Sequence, residues 1–269
     1  MPADRPSKDV VQSLAKGFRV LEIFDDHAPE LTVSEIARKA DLDAGTAYRL
    51  AKTLVMLGYL RQIENTKRYT LTLKVLDLGF HAIGRQDLRT MARPYLRALV
   101  GETNEAASVG VLSGTDVVFI ERSHAGLARL GVDVRVGSHL PAYCTAIGQS
   151  ILAFLEPAQR IRILKSREIK PITAKTPRTI EALEQRFIRI RRLGYAVSDE
   201  ETVPGVRVAA VPILDVDGHP YGALSVTAPS MRAPLKDFLA KSVGPLQDAA
   251  GQLGRAMHIT GCSAGSAVA

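Results

Sequence analysis

The amino-acid sequence predicts an α+β protein made of a small N-terminal domain and a larger C-terminal domain. Residues 10–72 contain three short amphipathic helical segments followed by a pair of alternating segments, whereas residues 93–258 mix helical segments with paired strand-like segments. A length of 269 residues fits two unequal domains at roughly 100–200 residues each. We expect a linker helix over residues 73–92, an N-terminal tail over residues 1–9 and a disordered tail over residues 259–269.

Composition places the chain among ordinary globular proteins, with 46% hydrophobic and 23% charged residues. No apolar run approaches the ~18 residues needed to cross a bilayer, and residues 1–9 lack the apolar core of a signal peptide. We therefore expect a cytoplasmic protein without membrane contact. The two cysteines, Cys144 and Cys262, are too far apart to indicate a disulfide scaffold or a zinc site.

The distribution of positive charge along the chain says more about a binding partner than the net charge does. The net charge is +7, yet residues 1–72 hold eleven Lys/Arg and ten Asp/Glu and are nearly neutral. Residues 43–72 alone hold five Lys/Arg against two Asp/Glu. That local excess is expected of a surface that meets a polyanion.

The first helix is predicted by apolar spacing over residues 13–24. Leu14, Phe18 and Leu21 fall at i, i+4 and i+7, which predicts one buried stripe. The polar, proline-containing segment 25–29 should end this helix.

A capping signal marks the second helix. Thr32 and Glu35 are spaced as a capping box, in which each side chain accepts a hydrogen bond from the other residue's backbone N–H. Four apolar residues then form its buried side: Val33, Ile36, Ala37 and Ala40. Residues 40–43 should form the turn into the next helix, with Leu42 as its apolar residue.

The third helix carries the candidate base-reading residues. Its buried side is expected to contain Ala47, Leu50, Ala51 and Leu54, and Gly58 suits the position just past its end. The opposite face would present small residues and then long polar ones: Gly45, Thr46, Tyr48, Arg49 and Lys52. Small residues allow close approach to base edges, Tyr48 and Arg49 can read bases or grip phosphate, and Lys52 should meet phosphate.

A basic β-hairpin follows, because residues 59–63 and 68–72 alternate as strands around a short turn. We expect it to act as a wing, with Lys67 and Arg68 against the phosphate backbone. Thr32 and Ser34 are further candidate DNA contacts. A lone basic helix is usually a solvated face, but a capped helix, short turn, second helix and basic hairpin in this order indicate a winged helix-turn-helix.

The connector, residues 74–93, is predicted to be helical by Leu76, Phe80 and Ile83 at i, i+4 and i+7. Two glycines within it weaken a helix by ~1 kcal/mol each relative to alanine. From the residues alone it is a packed surface helix.

The C-terminal domain is expected to be an antiparallel sheet with helices to one side. Hairpins are indicated by strands 107–112 and 117–122 and by strands 206–214 and 221–228, each pair joined by a glycine-containing turn. A further strand is predicted over 130–136, and helices over 94–103, 177–194 and 234–257, the second capped by Thr176 with Pro177 at its first position.

Two features of this domain suggest a ligand pocket. A helix beginning near Thr145 or Ala146 would offer free N–H groups to a carboxylate, although capping by Thr145 alone explains the pattern and is favoured by the residues. Ser225 and Thr227 point to one face of a strand, where their hydroxyls need partners. Neighbouring backbone is the common partner, and a bound polar ligand is the alternative.

Four segments resemble the start of an IclR-family transcriptional regulator: residues 13–21, 31–37, 57–60 and 68–72. The likeness continues through nearly the whole chain. The resemblance implies a linker helix near a dimer contact and a GAF/PAS-like effector-binding domain. It also implies double-stranded DNA with a palindromic operator as partner, a small organic acid effector, a homodimer or dimer of dimers, and RNA polymerase as a further partner.

The resemblance also implies which residues line the effector site, by position: Ala146, Ile147, Ser198 or Asp199, Val208, Ser225 and Thr227. Some relatives carry cysteine where this chain has Val208 and aspartate where it has Ser198. Their absence suggests a larger or more apolar ligand. Residues 140–148 resemble the subgroup that controls breakdown of aromatic acids such as protocatechuate and 4-hydroxybenzoate, or of β-ketoadipate.

Dinucleotide- and phosphate-binding motifs are absent from the sequence, and its six histidines lack metal-ligand spacing. The acidic run 199–201 is expected to be an exposed loop. We therefore expect no enzyme, cofactor or metal. The alternatives are a small-acid hydrolase or isomerase whose winged domain does not bind DNA, and a protein-interaction module.

Overall fold

A computed structural model of the chain describes residues 10–25, 27–78, 87–124 and 134–260. It divides into an N-terminal unit, residues 1–82, and a C-terminal unit, residues 83–269. Within the described ranges, no helix is both long and apolar enough to span a bilayer.

The N-terminal unit combines three helices with a small antiparallel sheet. In chain order its elements are α1 (Gln12–Glu22), β1 (Leu31–Thr32), α2 (Val33–Lys39), α3 (Ala44–Met56), β2 (Leu60–Gln62) and β3 (Arg68–Leu71). The sheet order is β1-β3-β2. The predicted wing is therefore present, and β1, too short to show a periodic pattern, adds a strand to its inner side.

Local capping fixes where these helices begin and end. Thr32 accepts a hydrogen bond from the backbone N–H of Glu35 (3.3 Å), and Glu35 accepts one from that of Thr32 (2.8 Å), which confirms the predicted capping box. Asp43 caps α3 by accepting from the N–H of Thr46 at 2.8 Å. Gly58, at φ +80°, follows α3 as predicted, because a left-handed residue can end the helix there.

The stripe predicted for α1 is wrong for Leu14 and Phe18, whereas Leu21 is half-buried against the core of the unit. Val20 is the fully buried residue of this helix, whereas Leu14 is 59% exposed and Phe18 is 50% exposed. Apolar spacing identifies an apolar face, but it does not say whether that face meets the core of the same unit. The stripes of α2 and α3 do meet it, since Ile36, Ala47 and Ala51 are fully buried.

The C-terminal unit alternates helices with strands of one six-stranded sheet. In chain order its elements are α4 (Asp87–Thr103), β4 (Ala106–Ser113), β5 (Asp116–Ser123), β6 (His139–Pro141), α5 (Ala146–Phe154), α6 (Pro157–Lys165), α7 (Ile180–Leu193), β7 (Ala196–Asp199), β8 (Val206–Leu214), β9 (Pro220–Pro229), a 3₁₀ turn (Ser230–Arg232) and α8 (Leu235–Ile259). The strand order is β6-β5-β4-β9-β8-β7, with every neighbouring pair antiparallel.

Helices cover both faces of this sheet, not one side as expected. On one face, α4 and α8 pack against residues such as Val109 and Leu224, and on the other, α5 and α7 pack against residues such as Ala210 and Ala223. Ala223 and Leu224 are adjacent and both fully buried. A strand that is buried on both faces has a nearly continuous apolar sequence. A prediction from alternating apolar and polar residues therefore underestimates the burial of such a strand.

Two local predictions in the C-terminal unit are wrong. The helix predicted from 177 begins at Ile180 with Thr179 as its cap, because Thr176 instead donates a hydrogen bond to the carbonyl oxygen of Glu201 at 2.6 Å. Of the strand predicted over 130–136, residues 134–136 are not extended into a strand, and the strand of this region is β6. The remainder of that prediction lies outside the described residues.

The described residues of the connector are helical on either side of the undescribed segment. Residues 74–78 are helical, residues 79–86 lie outside the described part, and residues from Asp87 onward belong to α4. Leu76 is exposed, while Phe80 and Ile83, the other two stripe residues, fall in the undescribed part. The predicted tails also lie largely outside the described residues.

Candidate nucleic-acid interface and ligand pocket

The outer face of α3 is open along its length. Gly45, Tyr48, Arg49 and Lys52 are exposed, and Thr46 is half-buried. The ammonium of Lys52 lies 5.9 Å from the centre of the Tyr48 ring, and the Arg49 guanidinium donates to the Thr46 hydroxyl at 3.4 Å. These weak contacts hold the two cations on the same face as the ring. The geometry suits contacts to an acidic polymer.

The remaining DNA-binding candidates differ in their exposure and in the hydrogen bonds that they already make within the protein. Ser34, in the first turn of α2, and Lys67, at the tip of the wing, are exposed. Thr32 is occupied by the capping box. Arg68 donates to the carbonyl oxygen of Glu30 at 3.0 Å and to the Glu35 carboxylate at 3.4 Å, so it ties the wing to α2.

An apolar groove lies on another side of the same unit. The exposed side chains of α1, Leu14 and Phe18, form one wall, and Leu50 and Leu54 of α3 form the other. Leu78 also lines it. The apolar face of α1, which the sequence assigned to the core, therefore borders an open groove in the single chain.

The C-terminal unit holds a pocket between α5, the sheet and the loop that joins β7 to β8. Its apolar lining comes from Phe119, Val134, Leu140, Val203, Val206 and Val208. Its polar lining comes from Arg122, Thr145, Thr202, Ser225 and Thr227. Ala146 and Ile147, the first residues of α5, complete it.

The start of α5 is held firmly against the preceding loop. The Thr145 hydroxyl accepts from the N–H of Gly148 at 3.1 Å, and a side chain at Gly148 would overlap the backbone of Ala142. Capping by Thr145 is thus present, as favoured from the sequence. Ala146 and Ile147 are the first two residues of α5, so their N–H groups have no acceptor one turn earlier in the helix, and both residues line the pocket.

Ser225 and Thr227 of β9 lie on the pocket floor. Val208, in the neighbouring strand β8, pairs with Thr227. Ser225 is 1% exposed, and its hydroxyl has no hydrogen-bond partner within the described part of the chain. Buried hydroxyls in proteins are almost always bonded. The Ser225 hydroxyl is therefore suited to a ligand.

Ser198 and Asp199, the two residues proposed as alternatives, lie outside the pocket lining. The Ser198 hydroxyl lies 3.3 Å from that of Thr202, which does line the pocket, so Ser198 supports the wall from behind. Asp199 accepts from the Arg207 guanidinium at 2.7 Å. Arg122 and Thr202 line the pocket although sequence reasoning missed them, because strand neighbours and loop positions depend on long-range pairing.

The acidic run after β7 is partly buried, contrary to expectation. Burial raises the pKa of Glu201, against the opposing effect of the Arg186 guanidinium, which donates to both carboxylate oxygens at 2.6–2.7 Å. The Gln149 amide, on α5, lies 3.5 Å from the same carboxylate. Glu201 therefore joins α7, α5 and the loop that carries Thr202.

Cys144, directly before the α5 cap, is fully buried. Burial raises the pKa of this thiol to about 12. A neutral thiol of this kind has neither nucleophilic nor metal-binding character at neutral pH.

Three groups with metal-ligand character meet in the β8–β9 turn: Asp215, Asp217 and His219. The Asp215 carboxylate accepts from the backbone N–H groups of Asp217 (2.9 Å) and His219 (2.7 Å), so it serves the turn itself.

Comparison with known proteins gives matches along most of the chain. Residues 13–64 match the IclR helix-turn-helix domain, and residues 80–255 match the C-terminal domain of bacterial transcriptional regulators of the IclR type. The transcriptional regulator XynR of Escherichia coli is 31% identical over 92% of this chain and 98% of its own length. The Pca regulon regulatory protein of Pseudomonas putida is 33% identical over 81% of this chain and 75% of its own.

Solved structures share the fold as well as the sequence pattern. An IclR homolog from Microbacterium hydrocarbonoxydans, crystallised with 4-hydroxybenzoate, superposes with a TM-score of 0.80 at 26% identity. The alignment covers 92% of this chain and 99% of that one.

Proposed function

The chain belongs to the IclR family of bacterial transcriptional regulators, and on that premise we propose that it controls the breakdown of an aromatic or related organic acid. The family match makes it a DNA-binding regulator that responds to a small molecule, and the matched relatives are regulators, not enzymes. The proposal adds the class of effector, the residues that hold it and the form in which the protein binds its operator.

The observation that carries the effector class is the unpartnered, buried Ser225 hydroxyl beside the start of α5. A carboxylate placed between them would accept from the Ala146 and Ile147 N–H groups, where the helix dipole favours negative charge. Its second oxygen would accept from the Ser225 or Thr227 hydroxyl. The apolar walls formed by residues such as Phe119 and Val208 would then enclose an apolar body.

An aromatic body is favoured by two relatives. The similar Microbacterium structure contains 4-hydroxybenzoate, and the similar Pseudomonas protein regulates the Pca regulon. Phe119 offers this chain's pocket a ring against which another ring can pack.

On the DNA side, we assign base reading to α3 and phosphate contacts to the wing and the start of α2. Arg49 and Tyr48 would meet base edges, with Gly45 and Thr46 allowing close approach. Lys52, Lys67 and Ser34 would meet phosphate. Thr32 and Arg68 support this surface through the capping box and the wing–α2 contact rather than by reaching DNA.

We infer that the protein binds a palindromic operator as a homodimer or a dimer of dimers. One winged helix makes few contacts, whereas a two-fold dimer reads two half-sites. The groove beside α1 is the surface of the N-terminal unit best suited to a second copy, because it exposes Leu14 and Phe18 to solvent in the single chain.

Ligand binding and operator binding on full-length protein test the proposal. A thermal-shift screen of small aromatic and aliphatic acids should find one that stabilises the protein, by ~2.7 kcal/mol at 100 times its Kd. The same acid should change the affinity for a promoter fragment. Ser225→Ala combined with Thr227→Ala should abolish both responses to the acid and leave basal DNA binding intact.

The matched control is Ser230→Ala combined with Thr260→Ala, two hydroxyl residues outside the pocket lining. It should respond to the acid like the parent. An unchanged response in the Ser225/Thr227 double variant would refute the pocket assignment. Turnover of the acid by the purified protein would favour an enzyme instead.

A further inference from the structure

A row of three polar residues crosses the sheet beneath the pocket at right angles to the strands. Ser108 in β4 pairs with Arg122 in β5 on one side and with Ser225 in β9 on the other. Ala107 and Val109, the neighbours of Ser108, pack toward α4 and α8, so Ser108 faces α5. Arg122 and Ser225 line the pocket, and Ser108 lies between them.

Both serines of this row lack a protein partner. Ser108 is 0% exposed and Ser225 is 1% exposed, and over the described ranges neither hydroxyl makes a hydrogen bond. Two adjacent buried hydroxyls without partners are unusual, because burial removes their water as well. Among the described residues that line the pocket, Arg122 supplies the positive charge.

Arg122 and Ser108, which pair across β5 and β4, are set apart from the start of α5. A side chain on Gly110 would meet the Ile147 side chain at 3.2 Å, so Gly110 marks the place on the sheet above which α5 begins. Ser108 is two residues from Gly110 along β4, a distance of ~7 Å in a strand. The pocket therefore has one anion-attracting end at the helix start and a second one at Arg122.

We propose that Arg122, with Ser108 beside it, forms a second acid-binding subsite, so that the effector carries an acidic group at each end of an apolar body. The inference rests on the proposed effector pocket and sharpens its ligand class. The α5 N–H groups and Ser225 receive one carboxylate, and the planar guanidinium of Arg122 receives the other, with the Ser108 hydroxyl as an additional polar group on that side. Arg122 thereby selects diacids over monoacids of the same size.

Isothermal titration of the full-length protein with two matched pairs of acids tests this selectivity: benzoate with terephthalate, and hexanoate with adipate. At least one diacid should bind about tenfold or more tightly than its monoacid, as a charge-assisted pair implies. Arg122→Gln should remove that preference and change monoacid affinity by less than about threefold, whereas Arg122→Lys should retain part of the preference.

Two further variants keep the result interpretable. Arg255→Gln, an exposed charge on α8, is the matched control and should leave both affinities unchanged. Ser108→Ala should weaken diacid binding alone, and it tests the subsite without removing a charge if Arg122→Gln proves unstable.

The proposal is overturned if neither diacid binds more tightly than its monoacid, or if Arg122→Gln weakens both members of a pair equally. In these cases the pocket itself still stands, provided that monoacid binding is lost in the Ser225→Ala and Thr227→Ala double variant. If that double variant binds the monoacids normally, the proposed pocket fails as well.

Discussion

Arg49 is the exposed α3 side chain with the greatest capacity for base recognition, because its guanidinium can donate two parallel hydrogen bonds to guanine. In the absence of DNA its contact is the 3.4 Å hydrogen bond to Thr46, which an operator can replace. Lys52, on the same face, carries a compact charge better suited to phosphate.

Arg49→Ala should therefore weaken binding to the specific operator by ~1–3 kcal/mol and affect random DNA much less. Lys52→Ala is the matched control and should weaken both by a similar, smaller amount. Competition gel shifts at fixed salt measure the difference. If Arg49→Ala weakened binding to operator and to random DNA equally, Arg49 would contact phosphate and not a base.

Cys144 is a second residue whose surroundings decide its chemistry. With a pKa of about 12, its thiolate is scarce at pH 8. In a Cys262→Ser background, reaction of Cys144 with Ellman's reagent should be slower than that of an ordinary thiol by on the order of 10³-fold. The rate should keep rising beyond pH 10, because the thiol titrates above that range, and denaturant should abolish the protection. Rapid labelling of folded protein at pH 8 would contradict the burial.

At the scale of elements, the start of α5 depends on its close approach to the loop before it. A methyl group at Gly148 would overlap the Ala142 backbone, which cannot move as easily as a side-chain tip. Alanine ordinarily favours a helix over glycine by ~1 kcal/mol, so the steric and propensity effects oppose each other here.

We predict that Gly148→Ala lowers the free energy of unfolding by ~1–3 kcal/mol, the usual cost of overpacking. Gly101→Ala, in α4 with open space around it, is the matched control and should be neutral or stabilising by up to ~1 kcal/mol. Urea denaturation of both variants gives the comparison. A stabilised Gly148→Ala protein would show that the loop yields readily.

Elements specified by their own sequence were predictable, and those decided by distant partners were not. The Thr32–Glu35 capping box and the glycine after α3 need only local geometry. Thr176 and Thr179 are both plausible helix caps, and the choice falls to Thr179 because Thr176 bonds the carbonyl of Glu201, 25 residues away. Such a contact leaves no periodic trace in the sequence.

The candidate sites show the same division. Ser225 and Thr227 could be placed on one face from strand alternation alone. Arg122 could not be added, because its place beside Ser108 and Ser225 depends on the pairing of three strands and on an irregularity in the β4–β5 register. The exposed face of α3 follows from local helix periodicity, so its candidate residues could be placed on one face in advance, and their contacts with DNA stay a prediction.

At the scale of the whole molecule, the apolar groove beside α1 is the feature that the single chain does not explain. Phe18 is half exposed, yet it belongs to a continuous apolar face. Covering such a face with a second copy would remove it from water and bring two α3 helices onto one operator.

Phe18→Glu should therefore reduce affinity for a full palindrome by about tenfold or more, the equivalent of ~1.4 kcal/mol. Affinity for an isolated half-site at low salt should stay within about twofold, because α3 is intact. Ile188→Glu, at an exposed position of α7, is the control. An equal loss on palindrome and half-site would mean that Phe18 supports folding rather than pairing of copies.

The two-faced strands of the C-terminal sheet have a consequence for how this protein can change over generations. Leu224 and Val226 hold the α4–α8 core, while Ser225 and Thr227, their immediate neighbours, line the pocket. On the proposed assignment, residues for selectivity and residues for packing alternate along one strand, so a single-nucleotide change at codon 225 or 227 should alter effector selectivity and spare the core. A lineage that meets a new effector could then retune its sensor in small viable steps, without first rebuilding the scaffold that folds it.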